Sequence, residues 1–391
     1  MYLRLKMALS LLTAVAFHSA FAVAQLPLKL TYDKPAVQWT EALPLGNGRI
    51  GAMVFGGTED ERLQMNESSL WGGGPHDYVA PDSNAHLDEI RGLIFAGKVA
   101  EAPPETPFAG RVVTNPSTSP ENAYVLSSNG RGARLTYAAT MDIELIRELF
   151  ENCRRGAEVL GVDAEFRSKL DQTEERLPPL QVGKRGQLQE WIEDYAETDP
   201  HHRHVSHLYS LYPGHDISLK TTPDLAAAAT KTLELRGVGE TGWSDVWRIA
   251  LWARLRNPEQ AYANLKVLIT TNTLPDMLDL CPPFQIDGNL GGPGAITEML
   301  VQSTESEITV LPALPHQWPA GSLKGVRVRG GGKLDIAWKD GHLTALKLSA
   351  DHSLTYRVFY GEQSAQVKIQ PGKAIVLNGT LHRSGPRDLN R

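Results

Sequence analysis

Two carboxylates stand where an acid and a base could be held against a substrate. Glu121 lies in the loop Thr114-Asn115-Pro116-Ser117-Thr118-Ser119-Pro120-Glu121-Asn122. Its prolines stiffen the backbone, so a carboxylic acid there can serve as a proton donor. The same Ser119-Pro120-Glu121 run also reads as a helix start, with a capping serine, a proline in the first turn and a glutamate favoured by the dipole. Asp287 lies in Phe284-Gln285-Ile286-Asp287-Gly288-Asn289, ahead of Gly291-Gly292. Read locally it is an Asp-Gly turn. Apolar residues before it and glycines after it also allow close backbone approach to a ligand, with the carboxylate as base.

Three further stretches carry candidate ligand contacts. His201-His202-Arg203-His204-Val205-Ser206-His207 packs four histidines into seven residues. No cysteine is nearby and no zinc-protease helix spacing is present, which weakens a metal reading. Imidazole and guanidinium donors reaching the hydroxyls of a neutral polar ligand, or plainly packed histidines, fit better. Gly239-Glu240-Thr241-Gly242-Trp243-Ser244 leads into Trp247 and Trp252. Trp243 and Trp247 fall one helical turn apart, as core residues or as a face for a sugar ring. Met65-Asn66-Glu67-Ser68-Ser69-Leu70-Trp71 followed by three glycines is a turn or a loop reaching a cleft.

The elements that must position these residues change character twice along the chain. Residues 28–75 alternate like strands in LKLTYD and RIGAMVFGG, broken by Gly46-Asn47-Gly48 and Gly72-Gly73-Gly74. From 140 to 303 the period is helical. Leu145, Ile146, Leu149, Phe150 and Cys153 form one stripe. Thr222-Pro223 opens a helix as cap and first residue. Two runs follow, Trp243 to Leu255 and Pro258 to Ile269, and a last helix over Ala295 to Gln302. After 306, short alternating runs with Gly, Pro and Asp turns predict a small antiparallel β-domain. A helical run over Leu87 to Ala100 leads into AEAPPETPFAG, a linker that arrives before the first β-region has enough strands to close.

Composition narrows the class. The chain has 391 residues with net charge −6, from 39 basic against 45 acidic side chains. That balance, without a Lys/Arg run, speaks against nucleic acid as partner. GxSxG, P-loop, GxGxxG and HExxH motifs are absent, which removes support for serine hydrolase, nucleotide and metalloprotease readings. Residues 1–24 combine Arg4 and Lys6, an apolar run and Ala22-Val23-Ala24, the layout of a secretory signal peptide. Cys153 and Cys281 are too few for a disulfide framework. Two separated carboxylates in an exported β/helical/β chain favour glycoside hydrolysis.

The blocks WTEALPLGNGRIGAMVFGG, LQMNESSLWGGGP, TNPSTSPEN, LQEWIEDYAETDPHHRHVSHLYSLYPG, TGWSDVWRIALWARL and PPFQIDGNLGG together resemble glycoside hydrolase family 95, in that family's order. The resemblance implies an inverting exo-α-L-fucosidase that releases terminal 1,2-linked fucose from a fucosylated oligosaccharide or glycan, without a cofactor or metal. It implies Glu121 as acid, Asp287 as base, Arg203 and His204 as sugar contacts, and Trp243 as a possible wall. An inverting pair stands roughly 6.5–9.5 Å apart, which leaves room for the attacking water. In the family the aspartate works through an asparagine amide from a block of the form NxNxQMNYWP. That block is absent here, and family members are much longer, so the chain reads as carrying a large internal deletion.

The implied fold is α+β and multidomain. It comprises a signal peptide over 1–24, an N-terminal β-sandwich fragment over 25–102, a partial (α/α)6 toroid over 103–305, and a C-terminal antiparallel β-sandwich over 306–391. The expected location is outside the cytoplasm, in the periplasm or the medium, with no membrane association after signal cleavage. The rival expectation is a catalytically inactive remnant or a fucoside-binding module.

Overall fold

The computed structural model describes residues 29–70, 111–126 and 130–383. The signal sequence over 1–24, Trp71 with its three glycines, and the helical run over Leu87 to Ala100 lie outside the described residues. The chain divides into two compact units, Val37–Glu240 and a second made of Met1–Ala36 with Thr241–Arg391.

The Val37–Glu240 unit begins with a three-stranded antiparallel sheet of β1 (Leu43–Gly46), β2 (Ile50–Val54) and β3 (Leu63–Glu67), in that order. Asn47 sets the first turn: its side-chain oxygen accepts the N–H of Arg49 at 3.0 Å and of Ile50 at 2.8 Å. Gly48 takes φ +87°, which a side chain would resist. Two short strands follow, β4 (Tyr124–Val125) and β5 (Gly132–Ala133), then α1 (Thr140–Leu160), α2 (Ala164–Glu174) and α3 (Pro223–Arg236). Proline at the first position of α3 matches the Thr222-Pro223 reading. Thr222, however, uses its hydroxyl to donate to the Asp216 carbonyl at 2.9 Å rather than to cap the helix.

The α1 stripe is rotated from its expected face. Ile143 is buried with Val113, Ala138, Leu177 and Ile192, and Ile146 and Phe150 pack against them. Leu145 and Leu149 face solvent instead, at 36% and 58% exposure. Local period fixes the spacing of a stripe but not which neighbour arrives to cover it.

In the other unit, LKLTYD does not form the expected strand within its described residues. Leu30 and Tyr32 are exposed, and the Tyr32 hydroxyl donates to the Pro275 carbonyl at 2.9 Å, so the segment is held by a side chain rather than a ladder. The helices here are α4 (Gly242–Arg254), α5 (Pro258–Thr270) and α6 (Asp287–Leu300). α4 packs against both α5 and α6. It is covered nearly all round, with Ile249 and Leu251 fully buried. Burying each of those side chains contributes about 2 kcal/mol. Asn257 caps α5, accepting the Gln260 N–H at 3.1 Å.

α6 begins at Asp287, well before the expected Ala295, and runs through Pro293 and four glycines. Each interior glycine costs a helix about 1 kcal/mol. Tertiary contact overrides that cost here, because a Cβ on Gly291 would come 2.7 Å from Val246 Cγ1.

The rest of the unit is strand. β6 (Val301–Ser303), β7 (Glu307–Val310), β8 (Gly321–Arg327), β9 (Lys333–Lys339), β10 (His342–Ser349), β11 (Leu354–Tyr360), β12 (Gln363–Ile369) and β13 (Ile375–Asn378) make two four-stranded sheets. Their orders are β13-β10-β9-β8 and β12-β11-β7-β6. Inward residues pair across strands, as in Leu346 with Ile336 and Leu348 with Leu334. The pairing is antiparallel as expected, except that β11 joins β7 in parallel, with Arg357 opposite Glu307. β11 reaches β7 only after the chain has run through β8 to β10 in the other sheet, so no hairpin dictates its direction.

Candidate functional site

Within the Val37–Glu240 unit, Glu121, Arg203 and His204 meet. The Glu121 loop is not a helix start: an isolated bridge between Ser117 and Thr136 precedes it, and β4 follows. Arg203 Nη2 is ion-paired with Glu121 Oε2, and His204 Nε2 stands 3.6 Å from the same oxygen. The Glu121 side chain is 58% exposed and that of Arg203 34%. An ion pair this open to water contributes at most about 1 kcal/mol. Stability is therefore a weak reason for collecting a carboxylate, a guanidinium and an imidazole on this surface.

Buried groups lie below that cluster. Ser119, the expected helix cap, instead donates its hydroxyl to Glu190 Oε1 at 2.7 Å. Asn122 Nδ2 donates to Glu190 Oε2 at 3.1 Å. Arg236, the last residue of α3, pairs with Glu190 at 2.5 Å and with Glu197 at 2.8 Å. A cation at a helix C-terminus is also favoured by the dipole. Tyr124, just beyond the loop, is buried with its ring 5.5 Å from Trp191 and 4.3 Å from Tyr195.

Electrostatics follow from this packing. Burial resists ionisation of Glu190, but His207 and Arg236, with the Ser119 and Asn122 donors, hold its carboxyl below the ordinary range. Glu197 moves the other way: burial raises it, and the neighbouring Glu190 adds to the rise. Burial lowers His207 to about 4, so it is neutral near pH 7.

The four histidines separate. His207 is buried against Glu190 at 3.7 Å, in a short 3-10 turn. His202 is buried and accepts the His204 N–H on Nδ1 at 3.1 Å. Among the described residues, no group of three or more His, Cys, Asp or Glu side chains is arranged to hold a metal.

The second unit carries Asp287 and Trp243. Asp287 is the exposed first residue of α6, so the expected Asp-Gly turn is a helix start. Behind it Asp279 is buried. Burial raises the Asp279 carboxyl, the Gly288 and Asn289 N–H groups oppose that rise, and the Asp287 charge adds to it. Asp279 N–H donates to Asn289 Oδ1 at 2.9 Å, which ties the preceding loop to the helix start. Trp243, near the start of α4, is half-buried. Its ring stacks with Trp247 at 5.9 Å and covers Gly291 of α6. Trp252 is core. Cys153 and Cys281 are both free thiols.

Sequence reading singled out Glu121, Arg203, His204, Asp287 and Trp243, but not Glu190, Arg236 or Asp279. For Glu190 and Arg236 the local signal was only a charge alternating with large apolar side chains, in Leu188-Gln189-Glu190-Trp191 and Leu233-Glu234-Leu235-Arg236. Buried charges are rare unless paired, so such positions mark networks.

Helical runs followed by a β-region, with Glu121, Arg203 and His204 gathered in one unit, define a multidomain α+β protein with a polar side-chain cluster. Residues 100–300 match the glycosyl hydrolase family 95 catalytic domain, and 302–381 the glycoside hydrolase family 95 C-terminal domain. Residues 30–120 match the glycosyl hydrolase family 65 N-terminal domain. The chain belongs to glycoside hydrolase family 95, with an N-terminal, a catalytic and a C-terminal domain. It is 39% identical over 285 residues to Alpha-L-fucosidase 2 of Arabidopsis thaliana, covering 70% of this chain and 34% of that protein. Probable alpha-fucosidase A of Aspergillus niger is 35% identical over 256 residues, 59% of this chain and 31% of that protein. The Aspergillus oryzae protein of the same name is 36% identical over 259 residues, with 59% and 34% covered. The chain thus spans about a third of the length of these relatives.

Proposed function

We propose that this chain is an exported, inverting exo-α-L-fucosidase that removes terminal α-1,2-linked L-fucose from glycans. The observation that carries the reading is the Glu121–Arg203–His204 cluster, a carboxyl group beside two hydroxyl-seeking side chains. Glu121 protonates the glycosidic oxygen as the C1–O bond breaks. Water attacks the opposite face, and the family resemblance assigns acceptance of its proton to Asp287. Arg203 and His204 hold sugar hydroxyls, and Trp243 offers an aromatic wall. The names of the relatives, all fucosidases, support the substrate class.

The finer architecture belongs to the same proposal. It is a signal peptide over 1–24, an N-terminal β-sandwich fragment over 25–102, a partial toroid over 103–305 that lacks an internally deleted segment, and a C-terminal β-sandwich over 306–391. Cleavage of the signal leaves the protein in the periplasm or the medium. Among the described residues, no helix is long and apolar enough to cross a membrane.

Purified protein supplied with 2′-fucosyllactose is expected to release fucose whose first-formed anomer, followed by NMR, is inverted. Glu121→Gln and Asp287→Asn each lower turnover by at least about 10²-fold. The missing asparagine block favours a second reading, a fucoside-binding remnant. Fucose binding without any release would select it and reject the enzyme.

A further inference from the structure

The two loops of the acid cluster are built on one buried pair. Glu190 accepts hydrogen bonds from Ser119 and Asn122, the residues flanking Pro120-Glu121. Arg236 Nη1 donates to the carbonyls of His202 at 3.4 Å and His204 at 3.2 Å, the residues on either side of Arg203. Glu190 and Arg236 bind each other at 2.5 Å, and each is at most 5% exposed. Ser206, two residues past His204, adds a hydrogen bond from its hydroxyl to the Pro120 carbonyl. One side of the pair therefore brackets the carboxylate, and the other brackets the guanidinium that meets it.

We infer that Glu190 and Arg236 are positioning residues, a buried ion pair that sets the Glu121 carboxylate against Arg203 and His204. Neither needs to touch substrate. The pair converts two irregular loops, which have no ladder of their own at these positions, into a fixed geometry. A shift of about 1 Å in such a group can cost about 10²-fold in rate. The consequence for catalysis rests on Glu121 being the acid, as proposed above. The structural role does not.

Full-length wild type, Glu190→Gln and Ser119→Ala separate these claims. Glutamine keeps the shape and one acceptor oxygen of Glu190 but leaves Arg236 with less charge to bind. Ser119→Ala cuts one tether and leaves the pair intact, so it remains informative if the buried charge change prevents folding. Hydrogen exchange requires no turnover. In Glu190→Gln, amides of 119–122 and 202–204 are expected to exchange together, about tenfold faster or more, while β9 and β10 keep their wild-type rates. In Ser119→Ala only the 119–122 segment should speed up. On 2′-fucosyllactose, kcat/KM of Glu190→Gln falls about 10²-fold, whereas α-L-fucosyl fluoride, whose leaving group hardly needs protonation, loses less than about tenfold. Wild-type exchange in both segments of Glu190→Gln, or in the 119–122 segment of Ser119→Ala, overturns the proposal, as does an equal loss on the two substrates. If wild type hydrolyses neither substrate, the fucosidase reading fails and exchange alone decides the positioning role.

Discussion

The Asp279 carboxylate lies against Gly288 so closely that a Cβ built on the glycine would come 2.7 Å from Oδ2. Gly242, the first residue of α4, lies against the same carboxylate. A buried carboxylate is thus lodged between the first turns of α4 and α6, where helix dipoles favour negative charge. α6 carries Asp287 and α4 carries Trp243, so one side chain packs against the first turns of both helices.

Gly288→Ala should accordingly destabilise the chain by about 1–3 kcal/mol, since the added methyl meets packed atoms. Gly294→Ala is the internal control. Nothing lies within 4 Å of its Cβ, so helix propensity alone should stabilise by up to about 1 kcal/mol. Thermal melting of the two variants is expected to shift in opposite directions, and shifts of the same sign would contradict the packing argument.

Arg203→Ala should weaken fucose binding about 10- to 100-fold, the loss expected for a charge-assisted hydrogen bond. Lysine should rescue little, because a point charge cannot reproduce the guanidinium fork. Isothermal titration with L-fucose reads this directly. An unchanged Kd in Arg203→Ala would remove Arg203 from the sugar site.

His207 makes stability depend on pH with a definite sign. Burial lowers it from 6.5 to about 4, so the unfolded chain binds the extra proton first. Its contribution, about 3 kcal/mol, is complete above pH 6.5 and is lost as pH falls towards 4. Melting temperature between pH 7 and 5 should fall more steeply in wild type than in His207→Gln. Parallel curves would show that the imidazole is not buried in this way.

Glu144 has the opposite sign. It is fully buried on α1, and burial raises its carboxyl well above the usual 4.5. The folded chain holds the proton that the unfolded chain releases, so its contribution is complete below pH 4.5 and declines as pH rises. Glu144→Gln should gain stability relative to wild type progressively from pH 4.5 to 8, as measured by urea unfolding. A difference that does not vary with pH would refute the assignment.

Sequence alone determined what depends on near neighbours. The Asn47-Gly48 turn, the proline starts of α3 and α5, the alternating runs after residue 306 and the family itself are local patterns of a few residues. So was the list of candidate side chains, because residue type decides what can donate a proton or a hydrogen bond. Only tertiary structure decided where those side chains are held. Ser119 has every local mark of a helix cap, yet it serves Glu190, 71 positions away. Arg236 joins the same carboxylate from 46 positions away. α6 starts at Asp287 despite its glycines because Asp279 and Val246 require them, and β11 runs parallel to β7 because no hairpin sets its direction. The period of a helix or strand reaches only a turn or a ladder step, while burial and charge pairing act between segments that meet only once the chain has folded.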